Sequence, residues 1–355
     1  MHYAGQAQPA ITGKAKMASY KKADARAWAR DHMHGCANII IPTFTADLKR
    51  LNEKAIRHDV RKVIEFGFTG TLLVSEVIIS VEEYAQFTSW ARDEAGDKLQ
   101  LIHHAGFGTL AENIEAVQAA EKAGADYVLL GYPGNFYPTT AKEIYDYTKA
   151  FCDSTNLGVI LFPVPHWGFE RIHPAGMPPE LIAQIVADIP NIVCIKAEGG
   201  MPTIGGFVQC WNRHAKDVIV TCPIEADAIP LMASYPMQWS GTSNHCLLRD
   251  RVPVMFNLMR ENRFEEAMEI FWQVHPARMA NKNLQATHMP GTKLIHRAYW
   301  KYQSWLHGFN GGPLRYPTQK MIDAHMRTLR AAVKASGLNP TDDPDTDYFV
   351  GRNPA

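Results

Sequence analysis

The sequence predicts an α/β fold, a (β/α)8 TIM barrel followed by a C-terminal helical appendix. Three observations point there. From residue 36 to 250, short β-branched runs alternate with longer amphipathic segments. The runs are apolar at nearly every position, as in parallel strands buried on both faces. They number eight, which matches such a barrel in count and in length. The rival is a doubly wound open sheet. The first run, "CANIIIPTFTAD", lacks the GxGxxG loop that would favour it.

The eight runs are "CANIIIPTF" (36–44), "TGTLLV" (69–74), "LQLIHHAG" (99–106), "ADYVLLGYP" (125–133), "LGVILFPV" (157–164), "NIVCIKAEG" (191–199), "DVIVTCPIE" (217–225) and "MQWSGTSN" (237–244). Helix-like segments separate them. "LNEKAIRHDVRKVIEFG" (51–67) ends on a glycine, a common helix stop. "LAENIEAVQAAEKAGAD" (110–126) sets Leu110, Ile114, Val117 and Ala120 three and four apart on one face. "MPPELIAQIVADIP" (177–190) opens on prolines, which the first helical turn tolerates. After residue 250 only helical texture remains, and the tail from 336 is polar and Pro-rich. The expected organisation is an N-terminal arm (1–35), the barrel (36–250), a helical domain (251–335) and an irregular tail (336–355). The arm, without a long apolar segment, reads as flexible or as an oligomer contact rather than a signal peptide.

Composition narrows the function. Lys+Arg and Asp+Glu both number 36, so net charge suggests neither nucleic acid nor an anionic membrane as partner. No apolar stretch approaches the roughly 18 residues of a membrane span. The six cysteines form no CxxC, and Cys194, Cys222 and Cys246 lie in or beside strand-like runs. They read as small buried hydrophobes in a reducing, cytoplasmic setting.

The sixth run holds a lysine, Lys196, close to its end. Barrel enzymes place catalytic groups at the C-terminal ends of strands. A lysine desolvated there loses its proton more easily and can attack a carbonyl to form a Schiff base. The bland alternative is a lysine reaching from the strand end to the rim. Small neighbours, Ala197, Gly199 and Gly200, leave room, and Glu198 can hold a proton or pair with the amine.

These segments resemble the dihydrodipicolinate synthase / N-acetylneuraminate lyase family of class I aldolases, from about residue 37 to 320. The markers are "IPTFTADLKRLN", "GFTGTLLVSE", "HHAGFGTLAENIEAVQAAEKAGADYVLLGYP", "VILFPVPHWG", "NIVCIKAEGG" and "GGPLRYPTQKM". The resemblance implies a barrel with a C-terminal helical domain, a homotetramer, no cofactor, and Lys196 as the Schiff-base lysine.

The chain is a divergent member by this reading. The family's Gly-Thr-Thr-Gly-Glu-like loop, which holds a 2-oxo acid's carboxylate, is replaced by "LLVSEVIISVEEY". Ser75 and Glu76 are the polar residues left there. Ser75 can donate a hydrogen bond, whereas Glu76 repels a substrate carboxylate unless it is protonated, turned away or paired with an arginine. Plain pyruvate is therefore expected to be a poor imine former, and a carboxylate pocket, if one exists, would draw on Arg249 or Arg297. At the fifth strand Phe162 stands where the family has a proton-relaying tyrosine. His166 and Trp167 follow, and His166 is the candidate substitute acid/base. At the fourth strand the family's Tyr-Tyr pair is replaced by Asn135, Phe136 and Tyr137. Strand alternation turns one of His103 and His104 into the barrel, without saying which, and His103 is carried as the pocket candidate.

His103, His166, Glu198 and His245 all sit near expected strand ends, but no local ligand spacing supports a metal. The seventh and eighth strands lack phosphate-binding glycine loops. The expected function is a lyase that joins Lys196 to a small-molecule carbonyl substrate and makes or breaks an adjacent C–C bond. Phe162, Trp167, Phe136 and Tyr137 suggest an apolar or aromatic substrate part, as in hydratase-aldolases of aryl-substituted 2-oxo acids. The alternatives are His/Glu acid–base chemistry without an imine, or a non-catalytic binder on an aldolase scaffold.

Overall fold

Prolines set where the strands stop. Pro42, Pro133 and Pro163 each follow a strand by two or three residues, and proline has no N–H to extend the ladder. In a computed structural model, residues 19–198, 203–292, 295–315 and 320–355 are described, with their side chains except those at 166, 203–205, 288 and 290–292. The strands are β1 (Gly35–Ile40), β2 (Gly70–Leu73), β3 (Gln100–Ala105), β4 (Tyr127–Leu130), β5 (Gly158–Leu161), β6 (Ile192–Lys196), β7 (Ile219–Thr221) and β8 (Trp239–Ser240). All pair in parallel in the order β7-β6-β5-β4-β3-β2-β1-β8. β8 also lies against β7, so the sheet curls into a nearly closed barrel. Every strand residue is buried, as both-face burial requires.

Eight helices wrap the strands. They are α2 (Glu53–Glu65), α3 (Val81–Ala95), α4 (Leu110–Ala123), α5 (Ala141–Asp153), α6 (Pro179–Asp188), α7 (Thr203–His214), α8 (Glu225–Leu231) and α9 (Arg251–Arg260). Side-chain caps open several of them. Asn52 accepts the Ala55 N–H, and Ser80 with Glu83 and Thr140 with Glu143 form capping boxes. On α4 the most buried face is Asn113, Ala116, Val117 and Ala120, while Leu110 and Ile114 flank it half-buried. Asn113 fills that face because it bonds the Phe107 and Thr109 backbone and the Tyr147 hydroxyl.

Two expected boundaries shift. The arm is not loose up to residue 35. Helix α1 (Ala25–His32) covers the barrel floor, and Arg26 donates to the carbonyls of Ile189 and Ile192 at 2.9 Å each. Residues 1–18 of that arm lie outside the described residues. The barrel also extends past 250, because α9 packs on β1 as the eighth barrel helix. The appendix then consists of α10 (Phe264–Gln273), α11 (His275–Thr292), α12 (Arg297–Leu306) and α13 (Asp323–Ala335). Lys301 of α12 ties it to the barrel, donating to Pro42 O at 2.9 Å and Thr43 Oγ1 at 2.7 Å. The tail holds a short helix, α14 (Asp347–Val350), and is pinned down. Tyr348 is buried, and its hydroxyl donates to Ala298 O at 3.0 Å. All six cysteines are free thiols and buried. Among the described residues no helix is long and apolar enough to cross a membrane.

Candidate active site

Lys196 is the last residue of β6, so its backbone still belongs to the ladder while its side chain reaches the strand-end face. The side chain is buried. Its Nζ donates to Thr242 O at 2.9 Å and lies 3.7 Å from the centroid of the Phe162 ring. Burial pushes the amine down to about 8, Glu198 opposes that shift and Arg297 adds to it. The neutral fraction near neutral pH is therefore far larger than for an ordinary lysine, and a neutral amine is the nucleophile a carbonyl needs.

Phe162 follows β5, and its carbonyl accepts Trp167 Nε1–H at 2.6 Å. The two rings meet edge to face at 5.8 Å, forming one wall beside the amine. Trp167 belongs to a 3-10 turn, Pro165–Trp167. His166 occupies the middle of that turn, and its side chain lies outside the described residues, as do Gly199 and Gly200 and, in the appendix, residues 316–319 of the "GGPLRYPTQKM" marker. Glu198 is half-buried two residues beyond Lys196. Burial raises its carboxyl, Lys196 pulls it down and Asp227 pushes it up.

On the β2–β3 side, Ser75 is buried and donates to His104 O at 3.0 Å. Its backbone N–H also faces His104 Nδ1 at 3.3 Å. Gly106 makes this closeness possible, since a Cβ there would stand 2.8 Å from Ser75 Oγ. Glu76 is bridged by Arg297 from α12, through Nε at 3.0 Å and through Nη2. Its other oxygen, Oε1, faces His104 Nε2 at 3.9 Å. Burial pushes the His104 imidazole down to about 4, with Glu76 opposing and Arg297 and Lys196 adding. Lys196, His104, Glu76 and Arg297 thus share one electrostatic field.

Several expectations change here. His103 turns away from the barrel mouth, toward α3, where its ring meets Tyr84 edge-on at 4.9 Å. Burial holds it neutral, down at about 3. His104 is the histidine that faces the mouth, because Tyr84 fills the space behind β3 and fixes the strand's parity. Tyr137 is 72% exposed and stacks under the Arg171 guanidinium, so it does not line this chain's mouth. Phe136 packs outward on Tyr132, ring centroids 5.8 Å apart. Arg249 lies over the ring of Phe66, the residue that caps the C-terminal end of α2. For Glu76 the structure shows the arginine pairing left open by the sequence, and Arg297 offsets its repulsion of a substrate carboxylate. Two participants were not singled out from the sequence, Thr242 as the amine's acceptor and His104 as the mouth-facing ring. Among the described residues no three His, Cys, Asp or Glu side chains converge as a metal would require.

Comparison with known proteins places the chain in a family. The model of the Dihydrodipicolinate synthetase family matches residues 34–291. The 4-hydroxy-tetrahydrodipicolinate synthase of Persephonella marina is 28% identical over 232 residues, covering 64% of this chain and 74% of that protein. The dihydrodipicolinate synthase structure from Aquifex aeolicus superposes with a TM-score of 0.72 at 17% identity, over 87% of this chain and 100% of that one. The N-acetylneuraminate lyase structure from Fusobacterium nucleatum gives 0.67 at 18% identity, over 85% and 98%. At those identities the two structures speak for the fold. With the family model covering most of its length, the chain belongs to the dihydrodipicolinate synthetase family of aldolase-type lyases.

Proposed function

We propose that the protein is a Schiff-base lyase acting on a carbonyl compound with a bulky apolar or aryl part, an aldolase or hydratase-aldolase. The observation that carries this is the buried, pKa-lowered Lys196 amine at a strand end, on the face of Phe162. The neutral Nζ attacks the carbonyl carbon. The carbonyl oxygen takes up protons and leaves as water, and a C=N+ bond remains. That iminium accepts the electron pair released when the bond between its α and β carbons breaks, giving an enamine, while the β-hydroxyl gives up its proton and that fragment leaves as a carbonyl compound. The enamine takes a proton on carbon, and water then hydrolyses the imine and frees the lysine.

Each step moves a proton, and Phe162 has no hydroxyl with which to do so. Glu198 suits the role, being half-buried beside the amine, with burial raising its carboxyl above the ordinary value. His166 on the adjoining turn is the second carrier. The Phe162–Trp167 wall favours an aromatic substrate part over a polyhydroxylated one. Assembly as a homotetramer and a cytoplasmic location complete this reading, and sedimentation of the purified protein tests the first.

Borohydride reduction in the presence of carbonyl compounds, followed by peptide mass spectrometry, tests the chemistry. A reduced adduct on Lys196 is expected. Turnover of a substrate that yields no adduct at Lys196 would remove the imine and leave acid–base chemistry by the His and Glu side chains.

A further inference from the structure

The bridge between Arg297 and Glu76 joins unequal partners. Arg297 is fixed: its side chain is 7% exposed, and its guanidinium lies 5.0 Å from the Trp300 ring. Glu76 is 37% exposed, at the turn after β2, and can swing into solvent. Two guanidinium nitrogens, Nε and Nη2, point at a single oxygen of Glu76, Oε2. An arginine fork binds a carboxylate more strongly when it meets both oxygens side by side. The ionic field of this arginine also reaches Lys196, whose amine it helps to lower.

We propose that Arg297 is the receptor for a substrate carboxylate, and that Glu76 fills that receptor in the free protein as an internal stand-in. The proposal rests on the Lys196 imine reading. Leaving Arg297 unpaired would strand a buried cation, so exchange of one carboxylate for another is the inexpensive route. The displaced Glu76 has a place to go. The Ser75 backbone N–H faces His104 Nδ1, so the neutral ring carries its proton on Nε2, toward Glu76 Oε1. The receptor comes from α12 and its stand-in from the turn after β2, so an acid can be held without the family's hydroxyl-rich loop. It also ranks substrates. Every acid has to displace Glu76, so plain pyruvate, with little else to bind, stays weak, while an aryl-substituted 2-oxo acid adds contacts on Phe162 and Trp167.

The test uses three probes on the full chain. They are 3-phenylpropionate, an acid without a reactive carbonyl, cinnamaldehyde, a carbonyl without an acid, and benzylidenepyruvate, which has both. Calorimetry follows the first, and borohydride trapping follows the other two. Glu76→Gln is expected to tighten 3-phenylpropionate about 10-fold or more, because the stand-in can no longer compete as an anion. Arg297→Met is expected to weaken it about 10–100-fold, and to lower trapping of benzylidenepyruvate by that factor relative to cinnamaldehyde. If Glu76→Gln leaves 3-phenylpropionate unchanged or weaker, Glu76–Arg297 is only a strut between appendix and barrel and the proposal is overturned. That variant alone decides the matter should Arg297→Met fail to fold. Tight 3-phenylpropionate binding with no trapping at Lys196 would sink the imine reading and spare the receptor. Trapping that ignores the acid group would do the reverse.

Discussion

Lys196 Nζ sits 3.7 Å from the centre of the Phe162 ring while donating to the Thr242 carbonyl at 2.9 Å. The amine is therefore held by a backbone acceptor on β8's far end and an aromatic face on β5's, with no hydroxyl from the Phe162 position. The Phe162 ring cannot accept a proton during the reaction, whereas the Thr242 hydroxyl, 3.4 Å from the amine, can pass one. Nucleophile and proton carrier are consequently separate groups here, and the two respond differently to substitution.

Lys196→Ala is expected to abolish turnover and borohydride trapping while the circular dichroism spectrum stays native. Lys196→Arg should fail too, since guanidinium does not become a neutral nucleophile. Full activity in either folded variant would contradict the aldolase chemistry.

Imine formation should follow the neutral fraction of Lys196. Its rate is expected to rise with pH through about 8 and level off above. Glu198 holds the amine's pKa up. Glu198→Gln should therefore move that limb to lower pH, read from pre-steady-state trapping across a pH series. A limb that stays in place or moves upward would separate Glu198 from the amine.

The same shift predicts a stability effect of definite sign. Folded Lys196 gives up its proton near 8, whereas the unfolded lysine keeps it to about 10.4. Between those values the unfolded chain binds more protons, so wild-type stability should rise with pH across that window. Lys196→Met lacks that contribution. It should be no less stable than wild type at pH 7 and show a flatter urea midpoint from pH 8 to 10. A clearly destabilised Lys196→Met at pH 7 would mean that the Thr242 bond outweighs desolvation.

Proton transfer should depend on the turn after β5. His166→Ala is expected to lose roughly 10²–10⁴-fold in rate, the usual range for a general acid–base group. Phe162→Leu, which alters only the wall, should lose far less. If His166→Ala stays within a few-fold of wild type and Glu198→Gln does not, the carrier is Glu198.

Lys301 should matter for folding rather than turnover. Its buried amine satisfies Pro42 O and Thr43 Oγ1, and burial drives its pKa down while Asp59 supports the charge. Lys301→Met leaves those acceptors without their donor, at about 1–3 kcal/mol. The denaturant midpoint should fall accordingly. An unchanged midpoint would show that the appendix is held by its other contacts.

Local pattern determined much of this protein. Runs of apolar residues that tolerate burial on both faces, interrupted by prolines, can be read without knowing any contact, and they announce the eight parallel strands. Lys196 is legible for a related reason: an ammonium inside such a run violates the local pattern, and a barrel strand's end is where that violation is useful. Phe162 and Trp167 stand out through the family resemblance, at and just beyond the place of the relay tyrosine after the fifth strand. Tertiary structure decided what depends on distant chain. Which of His103 and His104 enters the mouth is a question of strand parity, and Tyr84, packing from α3, settles it. Thr242 reaches Lys196 across 46 residues, and Arg297 reaches Glu76 across 221. No spacing rule spans such separations, because the barrel's closure and the docking of the appendix bring those groups together.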